Sequence, residues 1–565
     1  MKLKLLTCII LLTLLAVCAP AATPTPAPAT VAPATAAPEA SPLPTGEPGN
    51  LTGLEPGWWN DAIFYQVFVR SFKDSDGNGV GDFNGLTEML DYLNDGDPST
   101  TTDLGVTGIW LMPITQSPSY HGYDVVDYYS VDSEYGTKED FQRMVEEAHK
   151  RGIRVIIDLV LNHTGLDHPW FKASDAGDPK YRDWYIWSNE KPSYLGPWGQ
   201  PVWYPAKDGY YYAVFWSGMP DLNVENPEVT QELYNITEFW LKDMNVDGFR
   251  LDAIRHFVEQ GSAQENTPKT HAWLQGYFQF YKSLDPTVFT VGEAWTETSE
   301  VLDYIGDEVD IAFEFDLAED FVRAANGPIA SAASQQLKTV IENYPAGQYG
   351  IFLTNHDQNR VMSNLGGDFN KAKLAAVMLL TAPGVPFIYY GEEIGMTGTK
   401  PDEDIRLPMQ WRADGPGVGF TTGKPWRPAA LDWPTTNVAS QNVDPDSLLN
   451  LYRTLIHLRN EHASLRTGET LVIAPGSQRI YAILRYDETE AFLVLINTHP
   501  NPQNSDLYGL SLESSPLREG MTVETVIGLE GASLPTLNAN GGFEDYHPFA
   551  ELPPHSATIL HFTWP

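Results

Sequence analysis

The chain is poor in cysteine: among its 565 residues it has two, Cys8 and Cys18. Both lie within the first 18 residues, so no disulfide framework or cysteine-ligated metal site can stabilise the rest of the chain. The sequence also lacks a Gly-rich phosphate loop, a Walker motif and a zinc-binding pattern. Its chemistry must therefore rest on other residue types.

Positive charge is scarce as well. Lys and Arg total 35 against 74 Asp and Glu, which gives a formal net charge of −39. Such a charge repels a phosphate backbone or an anionic membrane surface and argues against nucleic acid as a partner. Aromatic residues are abundant, with 16 Trp, 27 Tyr and 24 Phe, and sugar rings stack on their flat apolar faces. A neutral sugar polymer suits both features.

An apolar run over residues 5–17 follows Lys2 and Lys4. It is short for a membrane span and is typical of a secretory signal peptide. Its end, Leu15-Ala-Val-Cys18, resembles the bacterial lipoprotein signal, in which cleavage precedes the cysteine and a lipid is attached to its sulfur. We therefore expect an exported lipoprotein, anchored to the outer side of the cell membrane through Cys18. The alternative is a secreted protein.

Residues 1–18 are thus assigned to the signal, and residues 19–57 are predicted to form a tether. Most of this second segment is Ala, Pro and Thr, with nine prolines between Ala19 and Asn50. Such a composition cannot bury a core and favours an extended chain. A tether agrees with a protein whose contact with the membrane is limited to an N-terminal lipid.

Beyond Trp58, strand-like apolar runs alternate with segments of helical period, which indicates an α/β fold with a parallel sheet. Eight strands are predicted, and this number favours a closed (β/α)8 barrel, the TIM barrel, over an open sheet. The barrel is assigned to residues 58–163 and 228–462. Its predicted strands are Ile63–Val67, Gly108–Met112, Arg154–Asp158, Val246–Arg250, Val288–Gly292, Asp310–Glu314, Gly350–Thr354 and Pro386–Tyr390.

Two further parts are predicted around the barrel. Residues 164–227, rich in Trp, Tyr, Pro and Gly, separate the third strand from its helix, so we expect an inserted B subdomain over the barrel mouth. Residues 463–565 contain short strands such as Arg479–Leu484 and Ala491–Ile496, separated by turn residues. This pattern predicts a C-terminal antiparallel β-domain, assigned as a β-sandwich.

Three acidic residues, Asp252, Glu293 and Asp357, lie one to three residues after the ends of predicted barrel strands. Barrel enzymes react at the carboxyl ends of their strands, so these side chains should share one rim. Paired carboxylates suit glycoside hydrolysis, in which one protonates the leaving oxygen and the other attacks or stabilises the oxocarbenium-like centre. Arg250, two residues before Asp252, should keep that carboxylate ionised, whereas burial should raise the pKa of Glu293.

The segments that carry these residues resemble the four signature regions of glycoside hydrolase family 13, the α-amylase family. The resemblance extends from about Trp58 to the C-terminus. A fifth segment, Met219-Pro-Asp-Leu-Asn223, is similar to a region of the group intermediate between oligo-1,6-glucosidases and neopullulanases. The four signature segments are Asp158-Leu-Val-Leu-Asn-His163, Gly248-Phe-Arg-Leu-Asp-Ala-Ile-Arg-His256, Gly292-Glu-Ala-Trp295 and Asn355-His-Asp357.

The resemblance implies a role for each acidic residue: Asp252 as nucleophile, Glu293 as acid/base, and Asp357 as the group that grips sugar hydroxyls and stabilises the transition state. Tyr123 is expected to stack beneath the sugar, and His163 and His356 to donate to its hydroxyls. The full set of expected substrate-binding residues is His121, Tyr123, His163, Arg250, Arg255, His256, His356 and Arg360.

The leading hypothesis is a monomeric, retaining α-glucan hydrolase that cleaves internal α-1,4 bonds of starch or maltooligosaccharides. The alternatives are an exo-acting α-glucosidase or oligo-1,6-glucosidase, a transglycosylase of the trehalose synthase type and, remotely, a noncatalytic amylase-like binding protein. Exo-acting α-glucosidases of the family commonly carry Asp where this chain has Tyr120, which favours endo action. Asp124 and the Asp221-Leu-Asn223 segment favour the glucosidase side.

Oxygen-bearing side chains alternate in a loop after the first strand: Asp74, Asp76, Asn78 and Asp82, with the backbone carbonyl of Val80 between the last two. This is the ligand spacing of a calcium loop, although the bidentate Glu of an EF-hand is missing. The loop resembles the calcium loop of several family members, and Ca2+ is the predicted cofactor. The resemblance also raises a second calcium site, formed by Asn162, Asp221 and the backbone of His256.

Substitution of Cys18 tests the predicted anchor. Cys18→Ser should block lipidation, because it removes the sulfur that carries the lipid, and the mature protein should no longer partition into a detergent phase. Cys8→Ser is the matched control and should leave partitioning unchanged. Wild-type protein found wholly in the medium would contradict the anchor and favour secretion.

Overall fold

The computed structural model describes residues 51–564. The predicted signal, Cys18 and most of the predicted tether therefore lie outside the described residues. Within residues 51–564, the structure contains no helix of sufficient length and apolar character to cross a membrane.

Eight parallel strands close into a barrel, and neighbours in the barrel are neighbours in the chain. Nearly all of their residues are buried, which explains the continuous apolar runs in the sequence. Each strand overlaps one of the eight predicted strands, so the predicted TIM barrel is confirmed. The first to eighth barrel strands are Phe64–Val67, Gly108–Leu111, Arg154–Leu159, Gly248–Leu251, Phe289–Gly292, Ile311–Phe313, Tyr349–Ile351 and Val385–Tyr389.

Local signals fix where several helices begin. Thr137 and Asp140 form a reciprocal capping box at the start of Lys138–Lys150. Pro227 and Pro268 occupy first turns, where a missing N–H costs nothing. The α-helices are Val69–Phe72, Phe83–Glu88, Leu90–Leu93, Lys138–Lys150, Pro169–Asp175, Pro227–Lys242, Pro268–Leu284, Thr298–Val301, Phe315–Asn326, Ser331–Asn343, Val361–Asn364, Phe369–Thr381, Asp402–Ile405, Val438–Asn442, Leu448–Glu461 and Ala463–Arg466.

The long segment after the third barrel strand folds over the barrel mouth. It contains the helix Pro169–Asp175 and a sheet of three short strands, Trp187–Ser188, Tyr210–Tyr212 and Trp203–Pro205. Its own small core is built around Val202, Trp203, Tyr212 and Val214. The segment rejoins the barrel through hydrogen bonds from Leu222 N to Asn162 O and from Thr164 N to Pro220 O.

The C-terminal region is antiparallel. Its main sheet has five strands in the order Glu469–Val472, Ile480–Tyr486, Glu490–Asn497, Ser556–Thr563 and Thr522–Ile527. Two pairs complete the region: Gln503–Asn504 with Glu551–Leu552, and Leu510–Ser514 with Gly541–Tyr546. A further pair, Thr115–Gln116 with Asp127–Val131, lies after the second barrel strand.

Aromatic side chains fill the barrel interior. The Phe64 ring stacks on Phe387 with centroids 4.8 Å apart, and Trp110 packs against Phe313 at 5.4 Å. The guanidinium of Arg250 lies 5.4 Å from the Trp110 ring centroid. These aromatic rings therefore form an apolar layer beneath the polar groups at the carboxyl ends of the barrel strands.

Candidate active site

A pocket of about 340 Å3 opens at the carboxyl ends of the barrel strands. The third and fifth strands flank the fourth in register, with Asp158 and Val291 both opposite Arg250. This register brings together side chains that are distant in the sequence. The residues lining the pocket are His121, Tyr123, His163, Phe215, Trp216, Met219, Asp252, Ala253, Glu293, Asp357, Asp402 and Arg406.

The buried guanidinium of Arg250 links three acidic side chains at the base of this pocket. Its Nη1 lies 2.8 Å from Asp158 Oδ1 and 2.6 Å from Asp252 Oδ1, and its Nη2 lies 2.8 Å from Glu293 Oε2. The arginine side chain is 1% exposed, so these are charge-assisted contacts in a region of low dielectric. One fixed cation thus sets the positions of three carboxyl groups.

Three acids around one cation cannot all be ionised without cost. Burial raises the pKa of Glu293 to about 7; Arg250 opposes the rise, and the carboxylates of Asp252 and Asp357 add to it. Burial likewise raises the pKa of Asp158 to about 7, again against the effect of Arg250. A carboxyl group that keeps its proton near neutral pH can act as a general acid.

Asp357 has the opposite environment. Burial alone would raise its pKa, but the contact with His356 and the charges of Arg406 and Arg250 bring it down to about 2. Arg406 Nη2 lies 2.9 Å from Asp357 Oδ1. Burial also lowers the pKa of His356 to about 3, so this imidazole is neutral above that pH and the arginines hold Asp357 ionised.

Tyr123 lies over the ring of His356, with parallel rings 5.6 Å apart. Its Oη donates to Asp158 Oδ2 at 2.9 Å and lies 2.5 Å from His356 Nε2, while Gln66 Nε2 lies 2.8 Å from His356 Nδ1. The neutral imidazole therefore donates from Nε2 to Tyr123 and accepts from Gln66 at Nδ1. Tyr123 is held by two contacts that leave one face of its ring toward the pocket.

Comparison with known proteins agrees with this geometry. Residues 66–468 match the α-amylase catalytic domain family. The chain belongs to the α-amylase family. It is therefore a glycoside hydrolase, and its catalytic barrel is the one that this family uses.

Three relatives show the range of the family around this chain. α-Amylase 3 of Dictyoglomus thermophilum is 40% identical over 461 residues, which cover 79% of this chain and 86% of that protein. Trehalose synthase of Thermus thermophilus is 35% identical over 80% of this chain and about half (52%) of that enzyme. The crystal structure of α-amylase from H. orenii superposes with a TM-score of 0.76 at 40% identity, over 88% of this chain and 99% of that structure.

His121 and His163, both expected to bind substrate, line the pocket of this α-amylase-family barrel. His163 is 1% exposed, and its Nε2 has no hydrogen-bond partner among the described residues. Burial lowers the pKa values of both imidazoles, which keeps them neutral at neutral pH. The free Nε2 of His163 is a buried polar atom available to a substrate hydroxyl.

Four of the expected substrate contacts do not line the pocket. His356 is fully buried directly behind it: Nε2 contacts Tyr123 and lies 3.2 Å from Asp357 Oδ2, and Nδ1 contacts Gln66, so this imidazole positions two residues that do line the pocket. Arg360 donates to the carbonyls of Ile405 and Tyr390.

The other two, Arg255 and His256, follow the fourth strand but turn away from the pocket. Arg255 pairs with Glu265 at 2.9 Å, and His256 Nδ1 lies 3.0 Å from Gln264 O. The reason is local: Ala253, directly after Asp252, has a left-handed φ of 52°, and a short 3-10 helix, Ile254–His256, follows it. This bend turns the chain away from the strand direction and lets Ala253 N donate to Glu293 Oε2 at 3.0 Å.

Sequence reasoning missed Arg406, Asp402, Phe215 and Trp216, which all line the pocket. Arg406 and Asp402 come from the segment after the eighth strand, and Phe215 and Trp216 come from the inserted segment. None of the four directly follows a barrel strand, which was the signal used.

The five residues of the predicted calcium loop lie together after the first barrel strand, with Asp74 and Asp82 buried and Asp76 and Asn78 exposed. Carboxylate oxygens of Asp74, Asp76 and Asp82 lie within 4.8 Å of one another. Asp74 is buried and accepts hydrogen bonds from the backbone N–H groups of Asp76, Gly77 and Gly79. Three hard oxygen donors at this spacing fit a calcium ion, although Asp82 also caps the helix Phe83–Glu88 through Gly85 N.

Asn78 and Val80 complete the loop: Asn78 Nδ2 donates to Asp76 Oδ2 at 3.1 Å, and Val80 N donates to Asn78 Oδ1 at 2.7 Å. At the second suggested calcium site, Asn162 Nδ2 donates to Asp221 Oδ2 at 3.1 Å, and Asn162 Oδ1 has no partner among residues 51–564. Burial raises the pKa of Asp221 to about 8. An unpartnered amide oxygen beside a buried acid also fits a hard cation.

Proposed function

We propose that the protein is a retaining α-glucan hydrolase that cleaves internal α-1,4 bonds of starch or maltooligosaccharides. The observation that carries the proposal is the Arg250 cluster: one buried cation holds Asp252 and Glu293 on the same rim at 2.6 and 2.8 Å. Retaining glycosidases need such a pair, with one ionised carboxylate and one protonated carboxyl group.

The first step uses both acids. Asp252, beside Arg250, is the nucleophile and attacks the anomeric carbon. Glu293, whose pKa burial raises to about 7, donates its proton to the oxygen of the departing sugar. The glycosidic bond breaks as the bond to Asp252 forms, which leaves a covalent glycosyl-enzyme.

The second step reverses the roles. Glu293, now a carboxylate, accepts a proton from a water molecule that attacks the anomeric carbon and releases Asp252. Asp357, held ionised by Arg406 at 2.9 Å, binds sugar hydroxyls and stabilises positive charge at the transition state. Two displacements at one carbon restore its original configuration.

Endo action is supported by exposed aromatic side chains around the pocket. Trp216 lines it and is 50% exposed, Trp198 is 61% exposed and stacks on Phe215, and Trp295, two residues after Glu293, is 41% exposed. Large exposed rings on the inserted segment and beside the fifth strand offer stacking surfaces for sugars beyond the cleavage site. A chain that continues past the cleaved bond would use them.

The second candidate is an exo-acting glucosidase or a transglycosylase, and one observation favours it. Tyr120, which favours endo action in the sequence because it replaces an Asp, is already stacked on Trp426 at 5.5 Å, with the Arg406 guanidinium 5.9 Å from its ring. Arg406 and Asp402 both line the pocket. Because the Tyr120 ring is already packed against Trp426, less stacking surface is left for a further sugar, which favours short substrates. The 35% identity to a trehalose synthase also favours this candidate.

We also propose that the protein binds a calcium ion that has a structural role. Asp74, Asp76, Asn78, the carbonyl of Val80 and Asp82 would hold it, and it would fix the loop that follows the first strand. The loop packs against the segment after the eighth strand, where Thr421 Oγ1 donates to Asp74. We further propose that the protein acts outside the cell as a monomer and is either anchored through Cys18 or secreted.

Amide substitutions test the catalytic pair. Glu293→Gln should lower kcat/KM by about 10^2- to 10^4-fold, because it removes the proton donor, and Asp252→Asn should abolish formation of the glycosyl-enzyme. Wild-type kcat/KM should fall as pH rises through about 7, where Glu293 loses its proton. The control, Glu297→Gln, changes an exposed acid four residues away and should retain the wild-type profile. Wild-type activity in either active-site variant would refute the assignment.

Product analysis separates the two candidates. Brief digestion of a long maltooligosaccharide should release mixed products of middle length, because the exposed tryptophans let the chain extend past both sides of the cleavage site. Proton NMR should find the α-anomer in the first product. Glucose as the sole initial product would favour the exo-acting glucosidase, and an initial β-anomer would contradict retention.

Chelation tests the calcium site. EDTA should lower the melting temperature, because an ion bound only by the native state adds its binding free energy to stability. Asp76→Ala should remove most of this sensitivity. Asp97→Ala, in another exposed loop rich in Asp and Gly, is the matched control and should keep it. Identical melting curves with EDTA and with calcium would count against the site.

A further inference from the structure

A second group of metal-ligating side chains lies outside the pocket lining, where the last barrel helix meets the C-terminal sheet. We call it the His-Glu-His cluster: His462, Glu490 and His561, whose ligand atoms all lie within 4.8 Å of one another. Glu490 Oε2 lies 2.9 Å from His462 Nδ1 and 2.8 Å from His561 Nε2. The three residues are widely separated in the sequence, so no short sequence motif predicts that they lie together.

The sheet register explains why they meet. Glu490 and Phe492 lie two residues apart on one strand and so share a face, and Phe492 is paired with His561 on the next strand. The Phe492 ring stacks flat on His561 at 4.3 Å and meets the His462 ring edge-on at 4.8 Å. His462 separates the helices Leu448–Glu461 and Ala463–Arg466. One aromatic ring therefore holds both imidazoles in place.

His561 has a carboxylate at each ring nitrogen. Glu490 faces Nε2, and Glu524, its pair on the other neighbouring strand, lies 3.1 Å from Nδ1. A neutral imidazole has a single N–H to donate. When Nδ1–H donates to Glu524, the Nε2 lone pair points at the Glu490 carboxylate, and a cation bound to both atoms from the side removes the repulsion. Metal-binding histidines are commonly oriented in this way, with the second nitrogen on a carboxylate.

We propose that His462, Glu490 and His561 bind a zinc ion that joins the last barrel helix to the C-terminal sheet. Two imidazole nitrogens and one carboxylate oxygen are ligands that zinc prefers, and three protein ligands leave a fourth position for water. The side chains are 24%, 14% and 10% exposed, so an ion can reach them from solvent. Ser464 Oγ donates to Glu490 Oε1 at 2.7 Å and leaves Oε2 facing both histidines.

Zinc titration of the full chain, purified without a histidine tag and saturated with calcium, tests the proposal. Calorimetry with zinc chloride should show one zinc per chain, and zinc should raise the melting temperature. His462→Gln and His561→Gln should each abolish this binding. Glu524→Gln should weaken it by about 10- to 100-fold, the usual effect of losing the carboxylate behind a metal-bound histidine. The Glu524 side chain is 73% exposed, so this variant should fold normally.

Two controls separate zinc in the cluster from zinc bound elsewhere. His271 Nδ1 lies 3.0 Å from Glu308 Oε2, almost as His462 lies from Glu490, but His271 belongs to no group of three metal-ligating side chains in residues 51–564. His271→Gln should therefore leave zinc binding intact, and so should Asp76→Ala in the calcium loop. The absence of zinc binding by the wild type, or an unchanged affinity in folded Glu524→Gln, would overturn the proposal.

Discussion

The guanidinium of Arg250 contacts acidic side chains from three adjacent barrel strands, and the arrangement of the active site depends on it. It bonds to Asp158 on the third strand, Asp252 after the fourth and Glu293 after the fifth. Burying a cation is expensive, and these contacts compensate for the lost hydration. Removal of Arg250 would leave three acids facing one another in an apolar barrel.

The Arg250 contacts also influence which of the acidic side chains are protonated. One positive charge cannot hold three buried carboxylates ionised, so burial raises the pKa values of Glu293 and Asp158 to about 7. Asp357 has its own cation, Arg406, and its pKa falls to about 2. The number and placement of arginines thus decide which acid keeps a proton at neutral pH. Because the barrel interior is lined by aromatic side chains and has a low dielectric constant, the electrostatic interactions among these groups are stronger than they would be in water.

The sequence was sufficient to predict all eight barrel strands and the rim position of Asp252, Glu293 and Asp357, because buried parallel strands are continuous apolar runs and their ends are marked by the first polar residues. The sequence was insufficient to predict which side chains reach the pocket where the chain bends after a strand. Arg255 and His256 lie three and four residues after Asp252, yet the left-handed Ala253 turns them away from the pocket. No residue pattern distinguishes an alanine with positive φ from any other.

The missed residues have a common physical origin. Arg406, Asp402 and Trp216 come from connections, whose positions depend on packing against distant parts of the chain and leave no periodic signal. All three line the pocket, so they contribute to its shape. The barrel with its Arg250 cluster therefore defines the reaction class, which the family shares, whereas the connections shape the space that a substrate can enter. Specificity within this family follows from loop geometry, and loop geometry is the part of the structure that sequence patterns describe least.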